Sequence, residues 1–423
     1  MKNVDSNYDV VIAGGGMVGA SLALRLAKLG GETLRILLVE SFPLPDPASS
    51  VLSYSPSFDS RATALSYSSK LIYQKMGVWT ELARHACPIS RIHVSDRGRF
   101  GSTLLNAEDY GWDALGHVVE NAWLGRVLID QLHTQSSVEM LSPMSVSSVA
   151  PSHGVDLTVS NGDFEQQIHC QLLVVADGAN SRLRSELGMD TQTTEYRQSA
   201  LIANIGLAQS HGGMAFERFT STGPIAMLPL PPDAQRQHRA ALVWTVPGDA
   251  QEELLALPDA EFLQRLQSQF GYRLGRLVRV GERGSYPLSL VRAREQVRSG
   301  VVVMGNAAHS LHPVAGQGYN LALRDVEALC RVLGAGIDNG CDIGSLEVLG
   351  RYATQQNLDQ ERTIGFSDRI TGVFSHPDPV VGVARDLGLV LLDIMPDLKQ
   401  RFVSYAAGTA GFPSYGERDR ETG

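Results

Sequence analysis

Tyr8-Asp9-Val10-Val11-Ile12-Ala13-Gly14-Gly15-Gly16-Met17-Val18-Gly19 is the stretch on which the fold turns. Tyr8 to Ala13 is an apolar run that reads as a buried strand. Glycines at 14, 16 and 19 follow, and Ala20 to Leu29 reads as a helix whose small residues Ala20, Ser21 and Ala23 suit packing on a sheet. A second strand, Leu34 to Val39, ends in Glu40. Strand, glycine turn, helix, strand and terminal acid make up a dinucleotide-binding fingerprint. The glycines permit a tight turn, close approach to a pyrophosphate and helix-to-strand packing, and the acid binds ribose hydroxyls. The glycine spacing alone is a weak signal; the register of all the parts carries it. A carboxylate at Glu40 suits an unphosphorylated adenosine ribose, FAD or NAD rather than NADP.

A second glycine-bearing turn lies far downstream in GNAAHSLHPVAGQGYNLALRDVEAL, Gly305 to Leu329. The apolar run Val301 to Met304 reads as a strand that breaks at Gly305. A loop with Pro313, Gly316 and Gly318 then leads into an apolar-periodic helix through Leu321, Ala322, Asp325 and Leu329. Free N–H groups at such a helix start favour negative charge, and glycines let a ligand come close. Between the two turns, Gln171 to Ala176 reads as another strand, ending in Asp177-Gly178-Ala179-Asn180-Ser181-Arg182. Alone, that Asp-Gly is only a turn.

In this order, the three segments resemble the single-component flavoprotein aromatic hydroxylases, relatives of para-hydroxybenzoate hydroxylase. His312 to Leu321, running on to Arg324-Asp325-Val326, resembles the signature of the ubiquinone-biosynthesis branch, and Asp59-Ser60-Arg61-Ala62-Thr63-Ala64-Leu65 its early arginine motif. His93 to Gly98 and Ala215-Phe216-Glu217-Arg218-Phe219 look closest to the hydroxylases of 2-polyprenyl-6-methoxyphenol. The likeness runs from about Tyr8 to about Tyr352. It implies an α/β fold: an FAD-binding Rossmann-like domain of the GR2 type, an inserted, mostly antiparallel β-sheet substrate domain, and a helical C-terminal part. The expected limits are 1–75, 116–185 and 286–407 for the FAD domain, 76–115 and 186–285 for the substrate domain, and a disordered tail over 408–423. One departure stands out: the branch carries Asp where this chain has Asn306. An amide oxygen still accepts a ribityl hydroxyl's hydrogen bond, but the charge is gone.

The gross numbers agree. A length of 423 residues exceeds one ordinary core. Formal net charge of -9 argues against nucleic-acid binding. No run of eighteen apolar residues exists, and the polar start Met1 to Asn7 leads straight into a strand. Cys87, Cys170, Cys330 and Cys341 show no metal spacing and fit a reducing cytoplasm. The expectation is therefore a cytoplasmic protein with at most peripheral membrane contact, in Val380 to Val403. A Ser/Pro-rich loop spans Ser41 to Ser57. Helices are expected at Ser66 to Met76, Trp79 to Arg84, Asn121 to His133, Glu261 to Phe270, and Leu346 to Lys399 with a break at His376-Pro377-Asp378-Pro379. From Ser199 the texture turns to β-type runs: Ala200 to Ile205, Met214 to Phe219, Ala226 to Leu230 and Ala240 to Val246.

Hydroxylating a phenol with O₂ is beyond amino-acid side chains, so a cofactor must carry it. The resemblance implies FAD, reduced by NAD(P)H, and a flavin C4a-hydroperoxide that hydroxylates a prenylated phenol. The reaction expected is 2-polyprenyl-6-methoxyphenol to 2-polyprenyl-6-methoxy-1,4-benzoquinol. The resemblance also implies partner enzymes of ubiquinone biosynthesis in a complex. Two alternatives stay open: a sister hydroxylase acting at another ring position, and a non-catalytic flavoprotein scaffold. The expected FAD contacts are Gly14, Gly16, Met17, Val18, Gly19, Glu40, Arg61, Arg126, Asp177, Gly178, Gly305, Asn306, Gly316, Gly318 and Asn320. Gly316-Gln317-Gly318, a helix start facing the flavin pyrimidine edge, would stabilise the anionic reduced ring. Without the resemblance, Arg61 and Arg126 read as surface arginines. His309 and His312 form an H-x-x-H in a loop without a third ligand, so no metal site is expected. His93, Tyr286, His312 and water are all open as phenol proton acceptor. Phe216, Phe219, Met227, Leu228 and Trp244 are candidates for a prenyl channel or for plain sheet core.

Overall fold

The fingerprint folds as its pattern predicts in the computed structural model, which describes residues 5–31, 33–44, 61–311, 316–375 and 395–409. Strand β1 (Asn7–Ala13) runs into α1 (Met17–Gly30), and β2 (Ile36–Val39) returns parallel to β1. Then come β3 (Ala62–Ser66), α2 (Tyr67–Met76), α3 (Trp79–Leu82), β4 (Ala86–Ile89), β5 (Arg91–Asp96), β6 (Ser102–Asn106), β7 (Gly116–Glu120) and α4 (Asn121–Leu132). The middle of the chain forms β8 (Val138–Leu141), β9 (Ser145–Ser152), β10 (Gly154–Ser160), β11 (Glu165–Val175), α5 (Arg182–Glu186), β12 (Thr191–Leu207), β13 (Met214–Phe219), β14 (Ile225–Leu230), β15 (His238–Pro247), α6 (Gln251–Ala256) and α7 (Asp259–Phe270). The last described elements are β16 (Leu277–Val280), β17 (Gly284–Ala293), β18 (Val297–Arg298), β19 (Val301–Val303), β20 (His309–Ser310), α8 (Gln317–Asp338), α9 (Leu346–Ser375) and α10 (Pro396–Ala406).

Three sheets result. The first has the order β18-β19-β11-β1-β2-β8, parallel from β19 to β8, with the β9–β10 hairpin extending β11. Strands covered on both faces must be apolar along their length, as Val10-Val11-Ile12, Ile36 to Val39 and Leu172 to Val175 are. Leucines of α1, α4 and α8, among them Leu22, Leu26, Leu128 and Leu329, cover one face. Val155, Leu157 and Met144 cover the other.

The second sheet has nine strands, β20-β17-β12-β15-β14-β13-β5-β6 with β16 beside β12, antiparallel except for β13 with β5. Phe262, Leu266 and Phe270 of α7 pack on one face against Leu201, Phe216, Met227 and Trp244. The opposite face meets the third sheet, β3-β7-β4, where Ile89 and Val118 pack against Ala215, Leu230 and Ala241. Arg239 of β15 and Glu120 of β7 close that contact as an ion pair of 2.9 Å with almost no exposure, and Arg239 Nε also donates to the Pro231 carbonyl.

Strand pairing crosses some of the expected limits. Segment 76–115 divides: β4 pairs with β7 in the small sheet, and only β5 and β6 join the large one. The return at 286 falls inside β17, which is bonded to β12 as far as Ala293, so backbone pairing holds that stretch in the large sheet. Gly408 and Thr409 donate their N–H groups to Tyr405 and Ser404, so order persists past 407; residues 410–423 lie outside the described residues. So do most of the Ser/Pro loop, the His376–Pro379 break, and His312.

Candidate cofactor and substrate site

The four parallel strands β2, β1, β11 and β19 end at one edge, and their exits are hydrogen-bonded in series. Gly14 N–H donates to Val39, Ala176 N–H to Ala13, and Met304 N–H to Val175, at 2.8 to 3.0 Å. Ligands of open α/β sheets bind at such carboxyl edges. The Gly14–Gly19, Glu40, Asp177–Gly178 and Gly305–Asn306 segments all sit there. Gly14 takes φ 113°, and a methyl added to it would stand 2.4 Å from the Ala176 carbonyl oxygen, so the first turn and the Asp177 turn touch there. Gly305 faces Val18 in the same way, at 3.2 Å. Arg184 binds the Asp177 and Gly305 turns together, donating to the Ala179 and Ala307 carbonyls.

The helices starting from these turns run side by side in the same direction. Ser21 Oγ lies 3.5 Å from the Tyr319 hydroxyl, Arg25 pairs with Glu327 at 2.8 Å, and Leu29 abuts Gly334. Numbers rise together on both, so the N-termini of α1 and α8 share one end. Neither has a side-chain cap. Both helix starts point partial positive charge toward the same region. A methyl on Gly16 or on Gly318 would meet no atom within 4 Å, so both backbone surfaces are open for close approach. Gly316 holds φ 60°, the left-handed region that favours glycine, and lies against Ala64 of β3. Uncapped N–H groups at two helix starts, open glycine faces and an acid at the end of β2 suit a long anionic dinucleotide.

The other expected contacts divide into two groups. Glu40 accepts from Gly15 N–H at 2.6 Å and from Phe42 N–H at 2.8 Å, which fixes its carboxylate beside the fingerprint. Met17 and Val18 stand in the first turn of α1, and Gln317 opens α8. Asp177, Asn306 and Arg61 are exposed at the edge. Arg126 points its Nε at Asp130 on its own helix, 3.1 Å away. Asn320 is buried, and both ends of its side-chain amide are held by protein. Its Oδ1 accepts from Ser66 N–H and Ser69 Oγ, while its Nδ2 donates to Ala64 and Gly316 carbonyls. It pins the start of α8 to β3.

Where β3, which Gly316 packs against, meets the large sheet lies a cleft of about 350 Å³. Arg61, Thr63 and Asn121 form one side, and Ile202, Val243 and Tyr286 the other. Asn121 was not anticipated: its N–H donates to the Arg61 carbonyl and its Oδ1 accepts from Thr63 Oγ1, so it sets the cleft's rim. Tyr286 is 38% exposed; burial of its ring raises its hydroxyl's pKa, and the Arg61 guanidinium pulls the other way. His93 is corrected as a proton acceptor. It lies across from Phe216 on the α7 side, its ring 5.7 Å from that ring, away from the cleft. Phe216, Met227 and Trp244 are likewise core under α7, while Phe219 and Leu228 face the other way. His309 places Nε2 2.5 Å from Asp325 Oδ2, both fully buried, which anchors the strand before the α8 loop. Among the described residues, no group of three His, Cys, Asp or Glu side chains could hold a metal ion.

The same architecture recurs in known proteins. Residues 7–347 match the family described as FAD binding domain. Ubiquinone hydroxylase UbiL of Rhodospirillum rubrum is 33% identical over 96% of this chain and 91% of its own length. The 3-demethoxyubiquinol 3-hydroxylase of Escherichia coli is 30% identical over 95% and 98%. Among solved structures, p-nitrophenol 4-monooxygenase PnpA of Pseudomonas putida superposes with a TM-score of 0.76 at 18% identity, over 96% of this chain and 99% of its own, a likeness of fold.

Proposed function

The chain belongs to the FAD-binding family of ubiquinone-biosynthesis aromatic hydroxylases, and from that footing we propose that it is an NAD(P)H-using monooxygenase that hydroxylates a polyprenylated phenol. One observation carries the reading: two uncapped, parallel helix starts converge on the carboxyl edge of the parallel sheet, and the second packs against β3, whose start lines a cleft floored by the large sheet. FAD bound there supplies the activation of O₂ that side chains cannot. Glu40 would hold the adenosine ribose, and the Met17–Gly19 N–H groups the pyrophosphate. Arg61, Arg126, Asp177 and Asn306 would contact the rest of the cofactor. The start of α8 at Gly316-Gln317-Gly318 would face the ring edge where negative charge gathers on reduction. The sheet face excludes water from the cleft and orients the phenol.

The ring position read here is para to the phenolic oxygen of 2-polyprenyl-6-methoxyphenol, carried by the His93–Gly98 and Ala215–Phe219 segments. A second reading, oxidation at another ring carbon, is favoured by the similarity to the Escherichia coli 3-hydroxylase. No described helix is long and apolar enough to cross a membrane; we place the enzyme in the cytoplasm, in peripheral contact with the lipid that holds its substrate and with other enzymes of the pathway. The test uses purified holoenzyme, NADH or NADPH, O₂ and a short-chain 2-prenyl-6-methoxyphenol, with the product identified by mass and by its quinone after oxidation. A phenol-stimulated NAD(P)H oxidation with one oxygen atom added supports an enzyme. A flavoprotein whose NAD(P)H oxidation ignores every prenylated phenol offered would leave the scaffold reading.

A further inference from the structure

One continuous row of side chains crosses the face of the large sheet that lines the cleft. Backbone register places Gly284, Ile202, Val243, Ala226, Glu217 and Val94 opposite one another across β17, β12, β15, β14, β13 and β5. Residues paired across a sheet share a face. Gly284, Ile202 and Val243 line the cleft, so Glu217 lies on the cleft side, two strands beyond Val243, about 10 Å along the row. The parity agrees: Ala215, two residues before it, packs toward the small sheet, whereas Phe216 and Arg218 turn toward α7, where Arg218 donates to Ser95 and the Gln269 carbonyl. Between Glu217 and Val243 stands only Ala226, which is half-buried. The row is otherwise apolar, and Glu217 is its one carboxyl.

We infer that Glu217 is the proton acceptor for the phenolic hydroxyl of a substrate ring lying over Ala226 and Val243. This rests on the reading of the chain as a phenol hydroxylase. The O–H bond breaks, the proton passes to a Glu217 carboxylate oxygen, and the electron pair stays on the phenolic oxygen, where it enriches the ring for attack by electrophilic oxygen. The added oxygen comes from O₂, reduced with the two electrons of NAD(P)H; the ring carbon then releases its hydrogen as a proton to water, and the carboxyl returns its own proton to the phenolic oxygen. The carbon para to that oxygen then lies along the row toward Val243 and Ile202, which line the cleft.

The environment favours such a role. Glu217 is half-buried, and burial pushes its carboxyl up to about 7, with no charged neighbour contributing. A group poised there suits proton exchange near neutral pH. On adjoining strands, β14 has no ionisable side chain, and β5 carries Arg91 at its exposed start, His93 on the far face, and Asp96 paired with Arg99. Across the interface, β7 offers His117, held near 4 by burial, and Glu120, committed to Arg239. Arg61 and Tyr286 stand at the other end of the cleft.

The test compares wild-type holoenzyme with Glu217→Gln and Glu217→Asp, using 2-prenyl-6-methoxyphenol. In turnover, Glu217→Gln should lower kcat on the order of 10²-fold or more with little change in KM, and lose the rise of kcat/KM through neutral pH. Glu217→Asp should recover part of the rate. A kcat/KM pH profile unchanged in Glu217→Gln would overturn the inference while leaving the hydroxylase reading intact. A wild type that binds flavin but hydroxylates no phenol would overturn both.

Discussion

Gly16 and Gly19 stand three residues apart in the same turn, yet the structure gives them different work, and one substitution at each separates ligand binding from folding. Gly16 has φ −64° and ψ −179°, which any residue adopts, and a methyl there meets no atom within 4 Å. Gly16→Ala should leave the flavin-free protein within about 1 kcal/mol of wild type, since the change trades a few tenths at a helix cap against reduced unfolded-state entropy. The added methyl stands in front of the first-turn N–H groups. Losing two charge-assisted hydrogen bonds to a pyrophosphate, at roughly 1.5–3 kcal/mol each, should weaken FAD binding on the order of 10²- to 10⁴-fold. A methyl on Gly19 would instead fall 1.9 Å from the Gly14 carbonyl oxygen, inside the protein. Gly19→Ala should therefore cost roughly 2–3 kcal/mol or more of stability with or without flavin. Urea denaturation of apoprotein measures the first quantity, and quenching of flavin fluorescence the second. Wild-type FAD affinity in Gly16→Ala, or an undisturbed apoprotein in Gly19→Ala, would refute the reasoning.

Other outcomes follow from named contacts. Arg239→Met leaves Glu120 buried without its partner and should cost about 3–5 kcal/mol, read by urea denaturation; the double variant with Glu120→Gln should recover much of it. Asn320→Ala strands buried partners on β3 and at the start of α8, so stability should fall by roughly 2–4 kcal/mol, and FAD affinity should fall too although Asn320 is sealed off from the cleft. Because the Glu217 carboxyl titrates near 7 when folded and near 4.5 when unfolded, the folded state binds more protons between those values. Stability from this group is full below about pH 4.5 and lost as pH rises through about 7. Glu217→Gln should thus match wild type at pH 4 and exceed it at pH 8 by at most about 3 kcal/mol.

Much of the cofactor half was legible from Tyr8 onward because its determinants are local. A buried parallel strand must be apolar throughout, and a turn under a phosphate needs glycine, so β1, α1, β2, β11 and β19 write their roles in consecutive residues. That the starts of α1 and α8 lie together was an inference from motif chemistry, and the rising contacts Ser21–Tyr319, Arg25–Glu327 and Leu29–Gly334 now give it geometry. The substrate half was harder to read. Alternation in Met214 to Phe219 says that two faces differ, but not which one meets the cofactor; that depends on pairing with β5 and β14, far off in sequence. Phe216, Met227 and Trp244 are equally greasy whether they line a channel or seat α7. A charged residue at 217 inside an otherwise apolar alternation was the available signal, and it passed unread because glutamate on a strand normally faces water. The side chain of Asn320 holds the start of α8 to β3, a contact 254 residues apart in sequence that no local pattern announces.

The central claim is that the α1 and α8 starts grip opposite ends of one FAD, and calorimetric titration of apoprotein with FAD and with ADP tests it most directly. Gly16→Ala should weaken both ligands, because both carry the pyrophosphate. Gly318→Val should weaken FAD at least tenfold and leave ADP at its wild-type affinity. An ADP affinity that falls in parallel with that of FAD in Gly318→Val, or an FAD affinity untouched by either substitution, would contradict the account.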